Sequence, residues 1–98
     1  MKPLRTIIAL CCLVAACATF GRNAGTFQVD CNVPDAMVII DDVLVGRCSE
    51  WKAPGRQIRP GFHRIEIRHP SYFSHYAEIE LSDGGGQVVK AELHPLLD

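Results

Sequence analysis

From Thr26 onward the apolar and polar positions of this chain alternate with a period of two. Phe27, Val29, Cys31 and Val33 are separated by Gln28, Asp30 and Asn32, which predicts a strand with one face buried. Pro34-Asp35 ends it. Ala36 to Ile40 predicts a second strand, apolar on both faces and so covered on both sides. Asp41-Asp42 makes a tight turn, and Val43 to Arg47 returns. The stretch from Cys48 to Pro60 is less regular. Pro54-Gly55 and Pro60-Gly61 punctuate it and leave room for one short strand at Arg56 to Arg59. Alternation resumes from His63 to His69, with Ile65 and Ile67 inward and Arg64, Glu66 and Arg68 outward. It continues from Phe73 to Leu81, where Ala77, Ile79 and Leu81 oppose Tyr76, Glu78 and Glu80. After the turn Asp83-Gly84-Gly85-Gly86, Gln87 to Leu93 supplies a last strand, with Val89, Ala91 and Leu93 inward. No segment past the N-terminus carries a helical stripe. Six to seven short strands with turn signals between them predict an all-β fold, a small antiparallel sandwich or open barrel.

The N-terminal segment follows a different pattern. Lys2 and Arg5 precede an apolar run from Ile7 to Ala16, the layout of a secretory signal peptide. The run is too short to span a bilayer, which takes about 20 residues. Val14-Ala15-Ala16-Cys17 closes it and resembles the lipobox of bacterial lipoproteins. That resemblance implies cleavage before Cys17 and lipidation of Cys17, and several acyl chains on one residue give stable attachment. The chain then divides into a signal peptide at 1–16, a lipidated cysteine and tether at 17–25, and one domain at 26–98. The expected partner of the N-terminus is a membrane, reached through the lipid. In families with outer-membrane sorting an Asp after the cysteine favours inner-membrane retention. Ala18 therefore points to the outer membrane if the cell has two.

This reading sorts the five cysteines. Cys11 and Cys12 fall in the removed segment and Cys17 carries lipid. Cys31 and Cys48 remain, in a compartment where disulfides persist. A disulfide between them would close a loop of about 17 residues and stabilise a small domain by roughly 3 kcal/mol in the chain-entropy model. Two separate buried thiols, or a redox or metal pair, are the alternatives. Their spacing is far from Cys-x-x-Cys.

Pro34-Asp35-Ala36, Val38-Ile39-Ile40-Asp41, Gly46, Pro60-Gly61-Phe62-His63-Arg64-Ile65-Glu66-Ile67 and Pro70-Ser71-Tyr72 together resemble a PEGA domain. Such domains are small β-sandwiches of bacterial envelope and surface-layer proteins. The likeness runs from about Phe27 to Pro95. It departs from the family at the first turn, where a Gly before Ala36 is missing. Asp42 stands where a Gly is usual, and Arg47-Cys48-Ser49 replaces a common Thr-Pro. The family has no shared catalytic residues, so the resemblance implies a binding or adaptor module.

Charge and chemistry refine this picture. The formal net charge is −1, and nothing in the pattern suggests a nucleic-acid binder. Basic residues gather between Arg47 and Arg68, and acids between His75 and Asp98. His63, His69, His75 and His94 have no close-spaced pair of the kind zinc sites use, so no metal and no cofactor is expected. Asp41-Asp42 reads as a turn, and Glu78 and Glu80 as a solvated strand face. The three glycines open no helix and form no phosphate loop. Ser71, Ser74 and Ser82 lack a nucleophile-elbow context.

The candidate ligand-binding residues are Arg64 and Arg68, extended by Arg56 and Arg59, because an arginine fork bonds carboxylates and phosphates bidentately. The sequence thus predicts a lipid-anchored, non-enzymatic envelope protein whose domain contacts another envelope protein or an anionic glycan. A histidine-dependent metal-binding or enzymatic factor and a structural spacer are the rival classes.

Overall fold

The computed structural model describes residues 24–97; the expected signal peptide, lipidated Cys17 and most of the tether lie outside them. Seven strands form two sheets. In chain order they are β1 (Gly25–Cys31), β2 (Met37–Ile40), β3 (Val43–Arg47), β4 (Arg56–Ile58), β5 (Gly61–Arg68), β6 (His75–Leu81) and β7 (Gly86–Ala91), with a four-residue helix, α1 (Cys48–Trp51), between β3 and β4. The first sheet has the order β4-β1-β7 and the second β3-β2-β5-β6. The fold is all-β, as the alternation predicts.

The period of two is what makes two layers. Phe27 and Val29 of β1, with Val89 and Ala91 of β7 beside them, face Val38 and Ile40 of β2, Ile65 and Ile67 of β5 and Ile79 of β6 in one apolar interior. Burying these rows against each other is the main force holding so small a domain together. β2 is covered on both faces, with Ile39 only 9% exposed on the side away from the core. Its turn to β3 uses Asp41 (φ 51°) and Asp42 (φ 68°). Positive φ at both central residues suits the twist of a two-residue hairpin, and Asp tolerates it better than most side chains.

Three features differ from the simplest reading of the sequence. First, β1 pairs in parallel with β7 while every other strand pair is antiparallel. Alternation reports which face a residue takes and is silent on strand direction. Asn32 prolongs the parallel pairing past the end of β1. Its side chain donates to the Leu93 carbonyl at 3.0 Å and accepts from the Leu93 amide at 2.8 Å.

Second, α1 has no stripe because one turn is too short to show one. It begins where Arg47 N donates to Glu50 Oε1 at 2.9 Å. Third, β3 is irregular: Val38 pairs with Gly46 but Ile39 pairs with Leu44, leaving Val45 as the extra residue of a bulge. Gly46 sits there at φ 139°, and a Cβ on it would lie 2.9 Å from Glu50 Oε1. The bulge turns the chain so that α1 drops over the open seam between the sheets.

Trp51 fills that seam. It is 4% exposed, its ring lies 5.6 Å from that of Phe27, and its Nε1 donates to the Val45 carbonyl at 3.3 Å. The Arg56 guanidinium covers the other side at 5.0 Å from the ring centroid, a cation–π contact. Trp51→Ala should therefore destabilise the domain by about 3–5 kcal/mol, measured by urea unfolding followed by circular dichroism, since this is the chain's single tryptophan. A loss below about 1 kcal/mol would show that the seam does not need this plug.

Candidate functional site

The outer face of the four-stranded sheet carries the candidate site. Because Ile65 and Ile67 are buried, the alternate residues Arg64, Glu66 and Arg68 of β5 project outward, as expected, and Phe62 projects with them. Strand register builds the rest of the face. Leu44 pairs with Ile39, Ile39 with Glu66, and Glu66 with Tyr76, so these four form one row across all four strands. Arg64 faces Glu78 and Phe62 faces Glu80 in the same register. Tyr76 and Phe62 are 70% and 75% exposed, and Leu44 is also exposed.

The four predicted arginines are not one cluster. Arg64 and Arg68 share the outer face. Arg56 lies at the edge of the other sheet, folded over Trp51. Arg59 lies in the connection to β5, where its carbonyl accepts from His63. The two arginines on the face are also paired. Arg64 Nη2 is 2.7 Å from Asp42 Oδ2. Arg68 grips Glu66 Oε2 from both Nε at 2.8 Å and Nη2 at 2.7 Å. With Glu78 and Glu80 beside them, acids outnumber bases on this face. The exposed Arg64–Asp42 pair adds little to stability; its effect is to cancel the charge that made Arg64 an anion-binding candidate.

The alternation along the sequence places Tyr76 outward and gives Phe62 no phase, and it points to the arginines as the ligand-binding residues. The available signal was an aromatic in each polar phase, where a solvated strand would carry Thr, Lys or Glu. Two open depressions lie on this face, one of about 110 Å³ between Ile39, Asp42, Arg64, Glu66 and Tyr76 and one of about 360 Å³ along Arg64, Tyr76, Ala77 and Glu78; neither is the enclosed cavity that buries most of a small molecule. A nearly flat face with exposed aromatics and a polar rim suits a protein surface better than a metabolite.

The histidines fasten strand ends. His63 Nδ1 meets Asp41 Oδ2 at 2.6 Å and its Nε2 meets the Arg59 carbonyl at 2.7 Å. A carbonyl only accepts, so Nε2 carries a proton. With a proton on Nδ1 as well, the ring is an imidazolium facing a carboxylate. Asp41 Oδ1 also accepts the Arg64 amide at 2.9 Å. The Asp41 hydrogen bond raises the His63 pKa above its ordinary 6.5; burial opposes it next in size, and the Arg59 carbonyl adds a lesser upward push. The Arg64 amide, and then His63, hold the Asp41 carboxyl below its ordinary 3.8.

At the other end of β5, His69 Nδ1 accepts the Ser71 amide at 3.1 Å and Nε2 donates to Asp35 Oδ2 at 3.2 Å. Its ring meets Tyr72 edge-on at 5.1 Å. Among the described residues no three His, Cys, Asp or Glu side chains converge as a metal site would require. No helix among them is long and apolar enough to cross a membrane.

Cys31 and Cys48 are free thiols in this structure. They line one cleft, and burial, then the neighbouring Cys31, raise the Cys48 thiol above its ordinary range. In comparison with known proteins, no family model matches this chain and no curated protein matches it.

The His63–Asp41 pair makes a pH prediction. A raised His63 pKa contributes stability that is complete below about pH 6.5 and lost as pH rises through the folded-state value. A lowered Asp41 pKa contributes stability present above about pH 3.8 and lost as pH falls through its folded-state value. Both contributions are therefore intact in mildly acidic solution. Urea unfolding at pH 5.5 and pH 9 should show wild type losing more stability on the alkaline side than His63→Gln does. Parallel pH profiles for the two proteins would refute the pairing.

Proposed function

We propose that this chain is a lipid-anchored envelope protein whose PEGA-like domain is a non-catalytic adaptor, docking a protein partner on the outer face of its four-stranded sheet. The observation that carries the docking face is the row Leu44–Ile39–Glu66–Tyr76, with Phe62 beside it. Exposed aromatics beside an apolar centre, set in a polar rim, are the composition of interface hot spots. The excess of Glu78, Glu80, Asp42 and Glu66 over Arg64 and Arg68 favours a partner with basic and apolar groups over an anionic glycan. A non-catalytic role is supported by His63, whose two ring nitrogens are both occupied and leave none for proton transfer.

The PEGA-like reading is supported by the sandwich itself and by the motif positions Asp35 and Asp41. Both lie in the turns that flank β2, and each receives a hydrogen bond from a histidine at one end of β5. The anchor reading rests on Val14-Ala15-Ala16-Cys17 alone.

Two measurements test these readings separately. Cys17→Ser should move the protein from the membrane to the soluble fraction of the producing cell. Retention in the membrane with unchanged mass would refute the anchor. A photo-crosslinking residue placed at position 76 in the full chain should yield a discrete protein adduct, and one at Val88 on the other sheet should not. Phe62→Ala should lower that adduct about tenfold or more, with the melt unchanged, while Arg64→Glu with Arg68→Glu should leave retention on an anionic glycan unchanged, where a glycan-binding face would lose it. Equal adducts from both positions would mean that the face is not a docking site.

A further inference from the structure

We propose that Cys31 and Cys48 form a dithiol oxidation site, at which a small disulfide oxidant such as oxidised glutathione reacts first with Cys31 and is resolved by Cys48 into an intramolecular disulfide. The two thiols reach each other through the fold, being 17 positions apart on different elements. Cys31 ends β1 in the same inward phase as Phe27 and Val29 but is only half-buried there. Cys48 opens α1 and is 3% exposed. Both line one cleft with Asp30, Pro34, Ser49 and Lys52.

The backbones behind the sulfurs are already fastened together. Cys48 N donates to the Ala36 carbonyl at 2.8 Å and Ser49 N to the Pro34 carbonyl at 2.9 Å. Cys31 Sγ lies 3.4 Å from both the amide and the carbonyl oxygen of Val33. The turn after Cys31 and the start of α1 are therefore one hydrogen-bonded unit, which holds the two cysteines beside the same cleft.

The two sulfurs differ in access, and this sets their roles. Burial, then the neighbouring Cys31, then the Asp35 carboxylate push the Cys48 thiol well above its ordinary range, so Cys48 is a poor first nucleophile. Cys31 is the more exposed of the two sulfurs in the cleft, whose lining also carries Lys52 as a cation and Asp30 as an anion. In the first step the Cys31 thiolate attacks one sulfur of the oxidant. That disulfide breaks, and one glutathione leaves and takes up a proton. In the second, Cys48 gives up its proton to solvent, its sulfur attacks Cys31 Sγ, and the second glutathione leaves. Two protein thiols are oxidised and one oxidised glutathione becomes two reduced molecules. The product ties β1 of the three-stranded sheet to α1, which follows β3 of the other, on the side that Trp51 closes. This inference rests on the thiol geometry alone and holds whether or not the chain is anchored.

The experiment exposes the reduced, folded full chain to oxidised glutathione and maps Cys31 and Cys48 by peptide mass spectrometry after alkylation. Wild type should pass through a glutathione adduct on Cys31 to a Cys31–Cys48 cross-link, reversed by dithiothreitol. The oxidised form should melt about 10–20 °C higher than the reduced form. Cys48→Ala should trap one glutathione on Cys31. In Cys31→Ala, Cys48 should react at least tenfold more slowly, with folding of both variants checked by circular dichroism. If either variant fails to fold, the order of adducts in the wild-type time course decides the roles. A stable adduct on Cys31 without a cross-link would overturn the site, and equal or earlier reaction at Cys48 would overturn the assigned order.

Discussion

Two sheets of three and four strands share one interior, and among the described residues no strand closes the seam between β3 and the β1–β4 edge. Trp51 closes it. The side chain meets Phe27 on one side and the Arg56 guanidinium on the other, while its indole nitrogen is satisfied by the Val45 carbonyl. Other features of this half of the molecule follow from the need to put a large ring there. The bulge at Val45 and the positive φ of Gly46 redirect β3. The short helix then carries Trp51 over the core, and Cys48 at its start lands against the end of β1. A domain this small has little apolar area to spare, so one aromatic side chain holds a large share of its stability margin.

The strand at the centre of the other half, β5, is held at both ends by the same chemical device. His63 reaches Asp41 in the turn after β2, and His69 reaches Asp35 in the turn before β2. Each contact adds a side-chain tie to a turn that main-chain bonds also hold: Asp41 N donates to the Arg64 carbonyl at 2.8 Å, and Ser49 N to the Pro34 carbonyl at 2.9 Å. This fixes the register of β5 against β2, and with it the outer row in which Ile39, Glu66 and Tyr76 line up. A one-residue slip would turn Ile65 and Ile67 to solvent. The histidines thus support the docking face indirectly, by holding the strand that displays it.

Electrostatics on that face comes from pairing more than from the number of arginines. Arg64 and Arg68 look basic along the chain, yet each finds a carboxylate within 2.7 Å. Arg68 makes two bonds to a Glu66 carboxylate that its neighbours largely cover, which fixes both side chains. What remains free to meet a partner is apolar and acidic: Tyr76, Phe62, Leu44, Glu78 and Glu80.

The period-two alternation determined, by itself, that the domain is all-β, that β2 is covered on both faces, and that Arg64, Glu66 and Arg68 point away from Ile65 and Ile67. Inward and outward phases are local properties of a pleated strand, so they are readable residue by residue. The Asp41-Asp42 turn was legible for the same reason, since its conformation depends on two residues. Tertiary structure alone decided the parallel pairing of β1 with β7, the helix carrying Trp51, the separation of Arg56 and Arg59 from Arg64, and the placing of Cys31 and Cys48 in one cleft. Each of these depends on which segments meet across the sandwich. That is governed by packing two sheets around a single core, a constraint that no window of neighbouring residues contains.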